Sequence, residues 1–261
     1  MKNLVVIPAR MASSRFPGKP MAEIHGMPMI GHVYHRCKIC PEVDEVIVAT
    51  CDLEILDYIT SQGGKAVMTG SHHERCTDRV VEALEVLHAE NGFDPEVVVL
   101  VQGDEPMVVP DMISEALSPF STDSNIKVVN LMGELQSRDE HDDPNEVKVV
   151  VDLKDRALYF SREPIPSHKK AGDVPVPMYK QVCIIPFRKD FLLEYSRLEP
   201  TPLEKVESVD MMRILEHGHT VQMVRTNHSS YAVDTPKDLA MVIEATKDDP
   251  FMPQYLKRSK S

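Results

Sequence analysis

Between Leu4 and Val101, short β-branched runs alternate with stretches of helical periodicity, and this alternation constrains the fold more than any other feature of the chain. Leu4 to Ile7 reads as a buried strand, and Pro28 to Cys37 as a helix through its apolar positions Ile30, Val33 and Tyr34. Glu45 to Thr50 is a second strand, Leu53 to Gln62 a helix closed by Gly63-Gly64, and Lys65 to Thr69 a short third strand. Thr77 to Asn91 places Val80, Val81, Leu84 and Leu87 at helical spacing, with Asn91-Gly92 as a stop signal. Glu96 to Val101 is nearly all valine, the pattern of a central strand covered on both faces. This order predicts an α/β fold built on a doubly wound, mostly parallel sheet. Ligands of such sheets bind beyond the carboxyl ends of the strands, near a topological switch point. The segments to interrogate are therefore Pro8 to Lys19 and Gln102 to Pro106.

The second half is less regular. Val147 to Asp152, Val182 to Pro186 and Thr220 to Arg225 have strand character, while Pro164 to Pro177 is a Pro-rich loop. Leu203 to His217 reads as one helix and Thr235 to Ala245 as a closing helix. The expected organisation is a single domain over residues 1–246, with an inserted β lobe at about 140–190. Residues 247–261 form a polar tail, expected to be frayed or loosely docked.

Composition excludes several function classes. Hydrophobic residues make up 42% and charged residues 27%, ordinary for a globular protein. No run reaches the roughly 18 apolar residues of a membrane span. The N-terminus enters a strand almost at once, so it lacks the apolar core and cleavage site of a signal peptide. Five cysteines, an odd number, argue against a disulfide framework and for a reducing cytoplasm. The net charge of −12 argues against binding nucleic acid or an anionic membrane. Against that acidic background the basic cluster Arg10, Arg15 and Lys19 carries information.

The loop from Pro8 to Pro20 follows a strand, carries those three cations, and offers Ser13, Ser14 and Gly18 for backbone approach to a ligand. Guanidinium forks and an ammonium converging on one loop suit a polyphosphate, because each phosphate oxygen can accept a charge-assisted hydrogen bond. The spacing is not that of a Walker A loop. Gln102-Gly103-Asp104-Glu105-Pro106 directly follows the valine strand. A carboxylate there faces the first loop, where Mg²⁺ would bridge it to nucleotide phosphates; the same residues are also turn formers. Asp234 follows a late strand and reads either as a helix N-cap, with Pro236 in the first turn, or as a second carboxylate for the metal. Cys37 and Cys40 form a lone C-x-x-C at the end of a helix and read as structural. His72-His73 reads as a loop pair, solvated or lining the mouth of a site.

Taken together, these motifs resemble the CMP-Kdo synthetase (3-deoxy-manno-octulosonate cytidylyltransferase) family. The resemblance runs from Leu4 to about Glu244. It covers Ile7-Pro8-Ala9-Arg10, Arg15-Phe16-Pro17-Gly18-Lys19-Pro20, Thr77-Asp78-Arg79, Val101-Gln102-Gly103-Asp104-Glu105-Pro106, Pro144-Asn145-Glu146-Val147-Lys148, Tyr159-Phe160-Ser161-Arg162 and Val233-Asp234-Thr235-Pro236. It implies a nucleotide-diphospho-sugar transferase-like fold and a CTP-dependent nucleotidyltransferase serving lipopolysaccharide biosynthesis, in the cytoplasm and as a homodimer. Ala9, Arg10, Ser14, Arg15, Lys19, Arg79 and Gln102 would then bind the nucleotide, and Asp104 and Asp234 would hold Mg²⁺. Lys19, Arg15 and Asp104 would carry the chemistry: attack of an acceptor oxygen on the α-phosphorus of CTP, with release of pyrophosphate. Positioning and charge neutralisation serve such a step better than covalent catalysis. By the same resemblance Lys148, Arg162, Gln181, Asp210 and Arg75 would face a small anionic acceptor.

The departures from the family fall on that acceptor set. The family's Arg-His-x-Gly-Ile-Tyr segment reads Lys180-Gln181-Val182-Cys183-Ile184-Ile185, its late Glu-Gln pair reads Asp210-Met211, and its Ser-Gly reads Arg75-Cys76. Loss of groups that pair hydroxyls changes acceptor selection. The expected acceptor is a Kdo-like sugar acid, with a phosphonate or phosphorylated acid as the alternative. Two other classes compete with this reading. A nucleotide-sugar glycosyltransferase would want a D-x-D pair, absent after the valine strand, and a silent nucleotide binder would have no use for both aspartates.

Overall fold

The computed structural model describes residues 1–13 and 15–256. The chain forms two compact units: Met1–Ser114 with Ser229–Ser261, and Glu115–His228. The second unit is larger than the lobe expected at 140–190, because it also takes in a strand upstream and the strand and helices downstream of that range.

The first unit is built on β1 (Asn3–Ala9), α1 (Met29–Lys38), β2 (Glu45–Thr50), α2 (Leu53–Ser61), β3 (Lys65–Met68), α3 (Cys76–Asn91) and β4 (Val97–Val101). Its strands lie side by side in the order β4-β1-β2-β3, every pair parallel. Leu4 to Ile7 and Val97 to Val101 are at most 1% exposed, so both strands carry apolar side chains on both faces, as the valine run predicts. The chain winds from β1 outward through β2 and β3, then returns to place β4 on the other side of β1. The switch point therefore lies between β1 and β4.

The second unit holds a mixed sheet of β5 (Val129–Glu134), β6 (Lys148–Val151), β7 (Ala157–Ser161), β8 (Tyr179–Val182) and β10 (Gln222–Thr226), in the order β10-β5-β8-β6-β7. Only the β10–β5 pair is parallel. β9 (Ile184–Arg188) follows β8 after a break at Cys183, so the run expected from Val182 to Pro186 is two strands. The helix expected over Leu203–His217 is also two, α4 (Pro202–Glu207) and α5 (Asp210–Glu216). Ser208 stands between them at φ 55, left-handed backbone that no continuous helix can contain.

The chain returns to the first unit through α6 (Pro236–Ala245) and α7 (Met252–Tyr255). As far as residue 256 the tail is docked, contrary to expectation; residues 257–261 lie outside the described residues. Arg36 of α1 is 1% exposed and its guanidinium is held by the tail: Nη2 meets Asp249 at 2.6 Å and Nε donates to the Tyr255 hydroxyl at 3.1 Å. One turn earlier on the same face, His32 is equally buried. Its Nδ1 lies 2.9 Å from the Tyr255 hydroxyl and its Nε2 lies 2.7 Å from the Ile24 carbonyl. The hydroxyl thus accepts from Arg36 and donates to His32, whose Nε2–H donates to Ile24. A buried cation needs such partners, and the tail supplies them.

Removing that hydroxyl orphans two buried groups. Tyr255→Phe is expected to lower stability by about 1–3 kcal/mol in urea unfolding, whereas a merely frayed tail would show no change. Burial also lowers the His32 pKa from 6.5 to about 4, helped by the Arg36 charge. A pKa lower in the folded state means that this contribution is complete above the unfolded value and is lost as pH falls from about 6.5 through about 4. The expected loss across that window is about 3 kcal/mol in the native protein, and His32→Gln should flatten the urea midpoint against pH.

Candidate nucleotide and metal site

Three strand ends and one return segment of the first unit build the site. β1 ends at the buried Ala9, and the next residue, Arg10, is exposed. The loop that follows is closed by backbone bonds: Gly18 N–H donates to Met11 O at 2.9 Å, and Met11 N–H to the Asp52 carboxylate at 2.8 Å. Gly18 sits at φ 75, which opens the short helical turn Lys19–Met21 and sends Lys19 inward. Ser14, expected among the nucleotide ligands, lies outside the described residues.

After β4 the chain turns at Gly103. A Cβ there would stand 3.0 Å from Pro8 O and 3.3 Å from Ala9 Cβ, so glycine lets this turn lie against the end of β1. Asp104 is thereby brought to the first loop. The return segment is stitched to the same turn, because Val233 N–H donates to Asp104 O at 2.9 Å and the Ser230 hydroxyl to Glu105 at 2.6 Å. Asp234 is not the N-cap of α6, correcting that alternative. Thr235 caps the helix in a capping box with Asp238, and Pro236 takes the first turn. The Asp234 carboxylate is left for the site.

There the side chains converge. Lys19 Nζ lies 2.6 Å from Asp104 Oδ2, 3.1 Å from Asp234 Oδ1 and 2.9 Å from Val233 O, and Arg15 reaches Asp234 Oδ1 at 2.9 Å. Burial opposes the charged ammonium, but Asp104 and then Asp234 outweigh it, and the Lys19 pKa is raised. The other oxygen of Asp104, Oδ1, is buried with no hydrogen-bond partner among the described residues. A buried carboxylate oxygen without a donor is costly. With a second carboxylate alongside, the donor set is hard and anionic, and it fits Mg²⁺.

Other members of the expected nucleotide set lie in the same unit. Arg10 Nη1 donates to His73 O at 3.4 Å, and Gln102 opens the turn after β4, half-buried. Arg79 is buried on α3, where Nη1 serves Thr69 and Gly70 O, while Nη2 is buried without a partner among the described residues. A buried, unpaired guanidinium nitrogen suits a ligand acceptor. Sequence reasoning missed Asp52 and the Glu105–Ser230 pair, which set the loop and the return segment. Asp52 had a readable signal, since it follows the end of β2 as Asp104 follows β4.

The expected acceptor set fares differently. Lys148 is fully buried, and its ammonium donates to three carbonyls: Asp143 at 2.7 Å, Glu146 at 2.7 Å and Arg162 at 2.5 Å. All three donors are used within its own unit, so it ties a loop together rather than offering a cation to an acid. Burial lowers its pKa despite Asp143 and Glu146. Arg162 donates to Glu207 O and Pro144 O at 2.7 and 3.0 Å, and the Gln181 amide to Asn130 at 2.6 Å. Asp210 is the half-buried first residue of α5, and Arg75 the half-buried residue before α3. Ile185 and Met211, at the positions where the family carries Tyr and Gln, are buried. None of the five cysteines is in a disulfide, and burial pushes the Cys40 thiol up to about 11 and that of Cys37 higher still, as suits structural residues. Among the described residues no helix is long and apolar enough to cross a membrane.

Comparison with known proteins identifies the family. Residues 4–226 match the family model described as Cytidylyltransferase. A 3-deoxy-manno-octulosonate cytidylyltransferase of Geobacter metallireducens is 42% identical over 253 residues, covering 94% of this chain and 97% of the relative. That of Fusobacterium nucleatum is 37% identical, covering 95% and 98%. Among solved structures, a CMP:2-keto-3-deoxy-manno-octonic acid synthetase complexed with CTP superposes with a TM-score of 0.85 at 38% identity, covering 94% of this chain and 98% of that one. With a family model spanning most of the chain and near-full-length relatives of this identity, the chain belongs to the cytidylyltransferases, in the family of the CMP-Kdo synthetases.

Proposed function

We propose that this cytidylyltransferase transfers CMP from CTP to a Kdo-like sugar acid and releases pyrophosphate, with Mg²⁺ as its cofactor. The observation that carries the metal part is the buried, unpaired Oδ1 of Asp104 beside Asp234. Asp104 and Asp234 would hold the ion, which supplies charge neutralisation at the phosphates and orients them for in-line displacement. Arg10, Arg15 and Lys19 bind the phosphate chain by charge-assisted hydrogen bonds, and Arg79 offers its unpaired Nη2 to the nucleotide. The two aspartates raise the Lys19 pKa, which suits Lys19 to act as a positive charge for phosphate rather than as a base. The CTP complex of the similar synthetase and the names of the near-full-length relatives support CTP and Kdo as the substrates. We propose further, from the odd cysteine count and the family resemblance, that the enzyme works in the cytoplasm as a homodimer.

A second reading of the acceptor has its own support. Ile185 and Met211 are buried apolar side chains and the Gln181 amide is engaged by Asn130, so three positions expected to pair hydroxyls do not offer free donors. With Arg75 as an added cation, these substitutions favour a smaller or more anionic acid, such as a phosphonate.

Pyrophosphate release with CTP and Mg²⁺, measured over Kdo, 8-amino-Kdo and phosphonoformate, decides between the two. Turnover of a Kdo-type acid is expected; release with phosphonoformate alone would replace the first reading by the second, and no release with any acid would sink both. Asp104→Asn keeps the carboxamide's shape but removes the charge. It is expected to lower kcat by at least about 100-fold with the melting temperature little changed. Near-normal turnover would remove Asp104 from the metal site.

A further inference from the structure

Outside the nucleotide site, one cluster in the first unit has the composition of a metal centre. The loop between β3 and α3 carries His72 and His73, and α3 presents Glu82 to them. One ligand atom from each of the three lies within 4.8 Å of the others. Sequence alone left the two histidines as a solvated or site-lining pair, but the structure folds both against the helix. His73 Nε2 is in hydrogen-bond contact with Glu82 Oε2, and the His72 and His73 rings stand 4.2 Å apart between centroids.

The backbone orients one member of this cluster and leaves room for another. The Glu82 carboxylate is oriented by the backbone, accepting the Gly70 N–H through both oxygens at 2.9 and 3.1 Å. Gly70 also makes room for the outer histidine. A Cβ at residue 70 would stand 2.3 Å from His72 Cε1 and 2.4 Å from His72 Nδ1, so any other residue would drive that ring away. Two imidazoles and one carboxylate form a donor set for borderline divalent ions, found with Zn²⁺ where three protein ligands leave a position open to water. Magnesium prefers oxygen ligands, so this set and the Asp104–Asp234 pair select different ions.

We propose that His72, His73 and Glu82 form a binding site for a transition-metal ion of the Zn²⁺ class, which clamps the β3–α3 loop onto α3. The clamped loop carries Arg75, and its carbonyls hold two arginines of the nucleotide set. His73 O accepts from Arg10 at 3.4 Å, and Gly70 O accepts from Arg79 at 3.2 Å. Metal at this site therefore stiffens the backbone that positions those arginines. The proposal stands whether or not the acceptor is Kdo.

The test uses untagged full-length protein stripped with chelator, titrated with Zn²⁺ or Co²⁺ in excess Mg²⁺. Tight binding of a single ion is expected, with a Co²⁺ visible spectrum of nitrogen and oxygen ligands and a melting temperature raised by Zn²⁺. His72→Ala, an exposed position, should retain the fold, weaken binding at least about 10-fold and abolish the Zn²⁺-dependent shift. Glu82→Gln should do the same, while Asp104→Asn should bind as the native protein does. Absence of Zn²⁺ and Co²⁺ binding, a thiolate charge-transfer band, or unchanged affinity in His72→Ala would each overturn the proposal.

Discussion

The candidate nucleotide site depends on one charge arrangement: the Lys19 ammonium set between the carboxylates of Asp104 and Asp234. Two aspartates converging from different segments repel each other, and partial burial strengthens that repulsion. Lys19, with Arg15 beside it, balances the pair charge for charge. The balance holds only while the two cations face the aspartates. On the reading proposed above, a polyphosphate draws on the same ammonium and guanidinium groups, and the carboxylates then require another cation. The unpaired Oδ1 of Asp104 is the atom through which that requirement is visible before any nucleotide is present.

That convergence is arranged by backbone rather than by the charged groups themselves. Gly103 lets the turn after β4 touch the end of β1, and the Val233 N–H bond to Asp104 O aligns the return segment with that turn. The Thr235–Asp238 capping box then starts α6 two residues beyond Asp234. A cap formed by Asp234 itself would have spent the carboxylate on backbone N–H groups. The capping chemistry and the site chemistry are thus divided between adjacent residues, a threonine for the helix and an aspartate for the site.

Much of this was legible in the sequence for identifiable reasons. Valine-rich runs and helical spacing reported β1, β2, β4 and α3 because burial on two faces leaves few alternatives. The position rule for parallel sheets then singled out the loops that carry Lys19 and Asp104. The failures have equally particular causes. Lys148 looks like a free cation in sequence, and only the fold shows three carbonyls around its ammonium. Ser208 adopts a left-handed conformation without being glycine, so nothing in the residue announces the break between α4 and α5. The tail is polar, and its docking rests on a buried arginine more than 200 positions upstream, a pairing that no local pattern encodes.

The two halves of the expected machinery differ in how readily their chemistry could drift. The loops of the candidate nucleotide site are held by backbone bonds, Gly18 N–H to Met11 O and Val233 N–H to Asp104 O. The departures on the acceptor side lie partly in the core: Ile185 and Met211 are buried, at 4% and 0% exposure. Placing a tyrosine or a glutamine there would require repacking and a hydrogen-bond partner for each buried polar group, at a cost of about 1–3 kcal/mol for overpacking alone. The apolar residues are therefore part of the packed interior, and not isolated surface exchanges. Gln181 and Asn130 fit the same account, since their mutual hydrogen bond satisfies two amides within the sheet. An acceptor that finds hydroxyl partners in this family would have to find them elsewhere in this chain.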